Sequence, residues 1–293
     1  MNSNHHSYRV AELEFTLCEP HFTFYGLKPF RIEQATDSIL TLAYDAETRL
    51  PSPEMQLVDT FDFPDANADC RFYRYEGGHL LTMTVRHDGT EVRFDIPDEA
   101  PAATCNFAES QNPSLFRFGL WVAINVRAVE RGVVAIHSSV LIYNEAVVLC
   151  LGESGTGKST HTRLWREHIE GTSLLNDDSP FVRITNDQAY AYGSPWSGKT
   201  PCYRNLSYPI RGFMRLSQGP SNVIRPLGVL QAYGALQPSC PPSFTHDDHL
   251  FDCVNRLLSE LLKRTKAWHL SCLPNAAAAE LARDTIFNTP KHE

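Results

Sequence analysis

Eight consecutive residues, Gly152-Glu153-Ser154-Gly155-Thr156-Gly157-Lys158-Ser159, limit what this chain can fold into more than any other feature. They match the phosphate-loop pattern G-x-x-x-x-G-K-[ST] at every fixed position. Each fixed residue has a physical reason. Glycine lets the main chain wrap an anion in conformations that a side chain forbids. The loop amides then point inward as an anion nest, and the following helix adds its positive N-terminal end. The flanks fit: Ala146–Leu151 is an apolar run that reads as a buried strand, and Lys158–Glu170 reads as a helix ended by Gly171. On this basis Gly152, Glu153, Ser154, Gly155, Thr156, Gly157, Lys158, Ser159 and Thr160 are the expected nucleotide-binding residues. Lys158 would meet the β- and γ-phosphates of ATP, and the Ser159 hydroxyl would ligate Mg²⁺.

Three further features carry chemistry. Asn176-Asp177-Asp178 follows the apolar stretch Ser173–Leu175. Acidic residues at a strand end beside a phosphate loop are where such enzymes hold metal, and a second carboxylate there can take a proton from an attacking hydroxyl. His137 ends the strand-like segment Val133–His137. The glycine- and proline-containing stretch Gly193–Pro201 carries Lys199 and is followed by Arg204 and Arg211. Cations near a phosphoryl centre offset developing charge, so these three are candidate phosphate or substrate contacts.

Around this centre the chain divides into two parts. The first hundred residues read as β-rich: Leu13–Leu17, His21–Tyr25, Ser38–Tyr44, Arg71–Tyr75, Leu80–Val85 and Glu91–Ile96 alternate with turn signals, among them Gly77-Gly78 and Asp88-Gly89. Pro97–Ala103 reads as a linker. Helices are expected over Leu115–Arg131, Leu250–Lys263 and Ala276–Phe287. A hairpin is expected around Asn186-Asp187, and strands over Val140–Ile142, Gly212–Leu216 and Trp268–Cys272. The expectation is an α/β phosphate-loop kinase domain over 106–293 with an N-terminal β-rich domain over 1–105.

The 293 residues carry a formal net charge of -8, with no Lys/Arg cluster, which argues against nucleic acid and anionic membranes as partners. Eight scattered cysteines form no C-x-x-C pair and read as reduced thiols in a cytoplasmic protein. The N-terminus lacks the basic and apolar blocks of a signal peptide, and no apolar stretch is long enough to span a bilayer. Homo-oligomerisation is compatible with the sequence and not fixed by it.

From His137 through Gly152–Ser159 to Leu175-Asn176-Asp177-Asp178, the sequence resembles the bacterial HPr kinase/phosphorylase, which shares its phosphate-loop fold with ATP-dependent phosphoenolpyruvate carboxykinase. The resemblance is specific over about forty residues and extends loosely from Val133 to the C-terminus. It implies that Asp178 is the base toward the acceptor hydroxyl, that Lys158 and His137 lie at the reaction centre, and that Ser159 and Asp177 serve the metal. Family kinases phosphorylate a serine on a carrier protein; relatives act on free serine or on peptide ends. HPr kinase has a second metal-binding glutamate where this chain has no acidic residue between Gln188 and Asn205, which removes support for HPr itself as acceptor. The expected activity is transfer of the γ-phosphoryl group of ATP to a serine-like hydroxyl on a small molecule, peptide or protein. The alternatives are a carboxykinase-like enzyme and an ATP-binding sensor without turnover.

Overall fold

The computed structural model describes residues 5–18, 24–99, 101–108, 111–153, 155–198 and 200–289. Its packing separates into two units: one ends at Arg131 and also takes Ser243–Asp252, and the other comprises Gly132–Pro242 and the chain from Cys253 onward. The fold is mixed α/β, with two large sheets.

Alternating burial builds the first sheet. Its strands are β1 (His5–Val10), β2 (Leu13–Cys18), β3 (Arg31–Ile32), β4 (Ser38–Tyr44), β5 (Gln56–Phe63), β6 (Ala68–Tyr75), β7 (Gly78–Val85), β8 (Glu91–Pro97) and β9 (Ala102–Cys105), ordered β3-β1-β2-β4-β9-β8-β7-β6-β5. In β8 Val92, Phe94 and Ile96 are wholly buried at every second position, as the pleat requires. The turns at Gly77 and Gly89 both take positive φ, which glycine tolerates without cost. Helix α1 (Pro113–Val129) opens with Pro113 at its first position, and the Asn112 side chain accepts from the N–H groups of Ser114 and Leu115 at 3.2 Å. It packs on β8 and β4, and Gly119 admits the Phe94 ring where a Cβ would come within 2.1 Å of Phe94 Cε2.

Two expectations change here. Pro97–Ala103 is not simply a linker, because Ala102 and Ala103 begin β9 and pair with Thr41 and Leu42 of β4. The sequence set the domain boundary at 105; α1, beyond that point, packs on the first sheet, and the first unit runs to Arg131. The expected strand His21–Tyr25 falls largely outside the described residues, and Tyr25 starts a short 3₁₀ turn, Tyr25–Phe30.

A buried carboxylate holds the start of this sheet. Glu14 on β2 accepts from Arg9 Nη2 at 2.5 Å and Nε at 3.1 Å, and from the N–H groups of Thr36 at 2.6 Å and Asp37 at 3.2 Å. Chiefly the Arg9 bond, then the Thr36 amide, brings its carboxyl from 4.5 to about 2, against the opposing pull of burial. A folded-state pKa below the unfolded one adds stability that is present above about pH 4.5 and lost as pH falls toward 2. Glu14→Gln is therefore expected to cost about 2–3 kcal/mol at neutral pH. In urea unfolding, the gap between wild type and variant should narrow markedly at pH 3; an equal gap at both pH values would contradict the assignment.

The second unit is built from β10 (Val133–Ala135), β11 (Ser138–Tyr143), β12 (Ala146–Leu151), α2 (Lys158–His168), β13 (Ser173–Asp178), β14 (Phe181–Thr185), β15 (Gln188–Tyr192), β16 (Ser207–Gln218), β17 (Val223–Pro226), α3 (Val229–Leu236), most of α4 (Asp248–Arg264), β18 (Ala267–Cys272) and α5 (Ala276–Asn288). The sheet order is β10-β14-β15-β16-β12-β11-β13, with β18 beside β16 and β17 beside β18. Trp165 and Leu164 of α2, Ala282 and Ile286 of α5, and Val148, Cys150, Met214 and Leu270 of the sheet form one buried cluster. Cys150 is thus a small core residue within its apolar strand. Among the described residues no helix is long and apolar enough to cross a membrane.

Strand direction decides what this sheet brings together. β12 runs parallel to β16, while β11 is antiparallel to both β12 and β13. β13 therefore runs the same way as β12. The carboxyl ends of β12, β13 and β16 and the amino end of β11 all share one sheet edge, the edge where open α/β sheets bind ligands.

Candidate active site

The segment between β12 and α2 has the backbone its glycines permit. Gly152, Gly155 and Gly157 lie at φ 149°, 84° and 103°. A Cβ at Gly152 would approach Thr156 Oγ1 to 2.5 Å. The Thr156 hydroxyl instead donates to Glu153 O at 2.8 Å and closes the turn. Gly157 is the N-cap of α2 and brings no capping side chain, so the first-turn N–H groups have no side-chain acceptor from the cap. Lys158 folds back over the loop: its Nζ donates to Gly152 O at 2.5 Å and Glu153 O at 3.2 Å. Burial lowers the proton affinity of this ammonium, opposed by the charges of Asp178 and Asp177. Ser159 is exposed and Thr160 half-buried at the helix start. Ser154 lies outside the described residues.

Two strands away lie the acids. Asn176, Asp177 and Asp178 are the last residues of β13 rather than a turn beyond it, so strand register fixes them. Asp177 stands opposite Ser139 of β11, and the Ser139 hydroxyl donates to its Oδ1 at 2.6 Å. Asp177 is buried, whereas the Asp178 side chain is 39% exposed. His137, just before β11, sets its Nδ1 3.3 Å from Asp178 Oδ1. Its own N–H donates to Ser239 O at 2.6 Å.

Asn176 carries a different duty. Wholly buried, it donates through Nδ2 to Trp196 O at 3.0 Å, Ser194 Oγ at 3.3 Å and Cys202 O at 3.4 Å, and accepts from Ser179 N–H at 2.9 Å. It thereby ties the loop after Gly193 to the strand that bears the acids. The Gly198 N–H reinforces this with a bond to Asp177 O at 2.6 Å, and a Cβ at Gly198 would press within 2.8 Å of that oxygen.

The cations expected from sequence are placed as follows. Arg204 Nη1 donates to Ser173 Oγ at 3.3 Å, at the opposite end of β13 from Asp178, about 16 Å away along a strand. Arg211 donates to Phe287 O and Thr289 O at the end of α5, and lies over the Phe287 ring at 5.9 Å. Lys199 lies outside the described residues. The structure thus brings His137, Lys158, Asp177 and Asp178 to one edge, and does not bring Arg204 or Arg211 to it. Residues that the sequence reading passed over join them instead. Arg215 of β16, in register with Leu151, places Nη2 3.5 Å from Glu153 Oε1. Gln218 Nε2 donates to Gly155 O at 3.2 Å and holds the far side of the loop. The available signal for Arg215 was a charge inside the apolar strand Gly212–Leu216; Ser139 gave none, since its partner depends on sheet order.

Among the described residues no group of three or more His, Cys, Asp or Glu side chains could hold a metal by itself.

No family model matches the chain, and no curated protein matches it. Among solved structures, the HPr(Ser) kinase/phosphatase from Coxiella burnetii is similar over 53% of this chain and 94% of that one, at a TM-score of 0.31 and 13% identity. A likeness of that size assigns neither a family nor a residue correspondence.

Proposed function

We propose that the protein is an ATP-dependent phosphotransferase that moves the γ-phosphoryl group to a serine-like hydroxyl on a small molecule, peptide or protein. One observation carries the reading: a glycine loop with three positive-φ positions, closed over by Lys158, shares a sheet edge with the Asp178–His137 pair. Backbone amides and a lysine suit a polyphosphate, and an accessible carboxylate suits a hydroxyl proton.

The chain's own groups then divide the work. The Lys158 ammonium, which rests on two carbonyl oxygens, moves onto phosphate oxygens and offsets their charge. Asp178 takes the acceptor proton as the new O–P bond forms and the bond to the departing ADP breaks, and His137 orients the carboxylate through Nδ1. Ser159 and Asp177 would hold Mg²⁺, for which one or two protein ligands suffice in nucleotide sites. Magnesium there would supply charge neutralisation across the phosphates.

The test is to incubate the purified protein with γ-labelled ATP, Mg²⁺ and a panel of hydroxyl metabolites, peptides and lysate fractions. Label transferred to a hydroxyl in an acceptor-dependent manner is expected. Consumption of oxaloacetate would favour a carboxykinase-like reaction instead, and tight ATP binding without turnover a sensor.

A further inference from the structure

The charge on Glu153 is out of place in a loop read as a polyphosphate cradle, because a carboxylate there repels the ligand. The structure shows what faces it. Arg215 leaves β16 directly beside Leu151, the residue before the loop begins, one interstrand spacing of about 4.8 Å away. One arm of its guanidinium is 3.5 Å from Glu153 Oε1, and the other donates to Ala235 O at 3.4 Å. The Arg215 side chain is 29% exposed and that of Glu153 84% exposed. An ion pair so open to water contributes little stability and exchanges readily. Arg215 is also close enough for its charge to act on Lys158. Two cations thus flank one glycine loop, and both rest on the protein's own oxygens: Lys158 on Gly152 O and Glu153 O, Arg215 on the Glu153 carboxylate and Ala235 O.

We propose that Arg215 is a second cation of the nucleotide site: it exchanges the Glu153 carboxylate for phosphate oxygens when a polyphosphate enters, and Glu153 competes for it while the site is empty. This rests on the phosphotransferase reading and adds a residue to it. A planar fork with one arm anchored on Ala235 O is oriented in advance for an oxyanion. The proposal separates Arg215 and Glu153, which a purely structural ion pair would not. If the pair only held the loop, removing either partner would do the same harm.

The experiment measures dissociation constants of MgATP and MgADP by calorimetry for the wild type, Arg215→Gln, Arg215→Lys and Glu153→Gln, with thermal melting to show that each is folded. Loss of a charge-assisted contact is expected to weaken MgATP binding to Arg215→Gln about tenfold to a hundredfold. Arg215→Lys should recover part of that loss. Glu153→Gln should bind MgATP more tightly than wild type, because the competitor is gone. Equal weakening by Arg215→Gln and Glu153→Gln, or wild-type binding by Arg215→Gln, overturns the assignment of Arg215 while leaving the phosphotransferase reading intact. A wild-type protein that binds neither nucleotide overturns both. Should Arg215→Gln fail to melt cooperatively, Arg215→Lys and Glu153→Gln decide the matter by the same opposite signs.

Discussion

Replacing Lys158 with alanine is expected to reduce phosphoryl transfer by about a thousandfold or more, with nucleotide binding weakened as well. The size follows from where the ammonium sits. Half-buried, and near enough for the charges of Asp178 and Asp177 to act on it, it is worth more to a developing phosphoryl charge than an exposed lysine would be. Its hydrogen bonds go to the main-chain oxygens of Gly152 and Glu153, and buried Asp177 keeps the Ser139 hydroxyl as its partner when the ammonium is lost. The melting temperature should therefore change little while activity collapses. Turnover and calorimetry on the same preparation check this; a variant that keeps a tenth of wild-type turnover would remove Lys158 from the centre.

Asp178→Asn should separate chemistry from binding. The substitution keeps the shape and removes the proton acceptor, so transfer should fall by about 10²–10⁴-fold while the affinity for MgATP stays within a few-fold of wild type. Retention of affinity is argued from placement. Asp178 pairs by its side chain with His137, while Lys158 hydrogen-bonds to Gly152 O and Glu153 O. Single-turnover transfer to an identified acceptor, beside a nucleotide titration, is the measurement. Normal transfer by Asp178→Asn would falsify its role as base.

Much of the fold was legible, and the misses have physical causes. Ser38–Tyr44 and Glu91–Pro97 were legible because short apolar runs, Ile39-Leu40 with Leu42 and Val92 with Phe94 and Ile96, are buried within them. The hairpin at Asn186-Asp187 was legible because both residues take positive φ, at 49° and 61°. β5 was passed over because Asp59 and Asp62 interrupt its apolar residues and most of the strand lies toward water. β9 was read as linker because Ala102 and Ala103 carry no strand signal of their own and are recruited by β4. β16 was found only from Gly212 because Pro209 reads as a break, yet Pro209 sits in register with Tyr190 and the strand continues through it. α3 escaped because Val229 and Leu230 are exposed apolar residues that give no amphipathic stripe.

At the site, local patterning named the glycine loop, Lys158 and the acid pair, since each is a contiguous motif. It could not reveal that Ser139 would meet Asp177 or that Arg215 would meet Glu153, because both depend on which strands become neighbours. The same limit applied to Arg204 and Arg211, chosen for their closeness in sequence to a glycine-rich stretch and held instead at Ser173 and at the end of α5.

The insertion of β11 between β12 and β13 has a consequence for how such a protein can diversify. The span from the glycine loop to Asp178 is two ladder spacings, about 10 Å, and it is set by main-chain bonding rather than by any side chain. That gauge survives almost any change of sequence that keeps the three strands paired. The segment from Gly193 to Cys202 is clipped on separately by Asn176 and the Gly198 amide. Its composition can drift without resetting that gap.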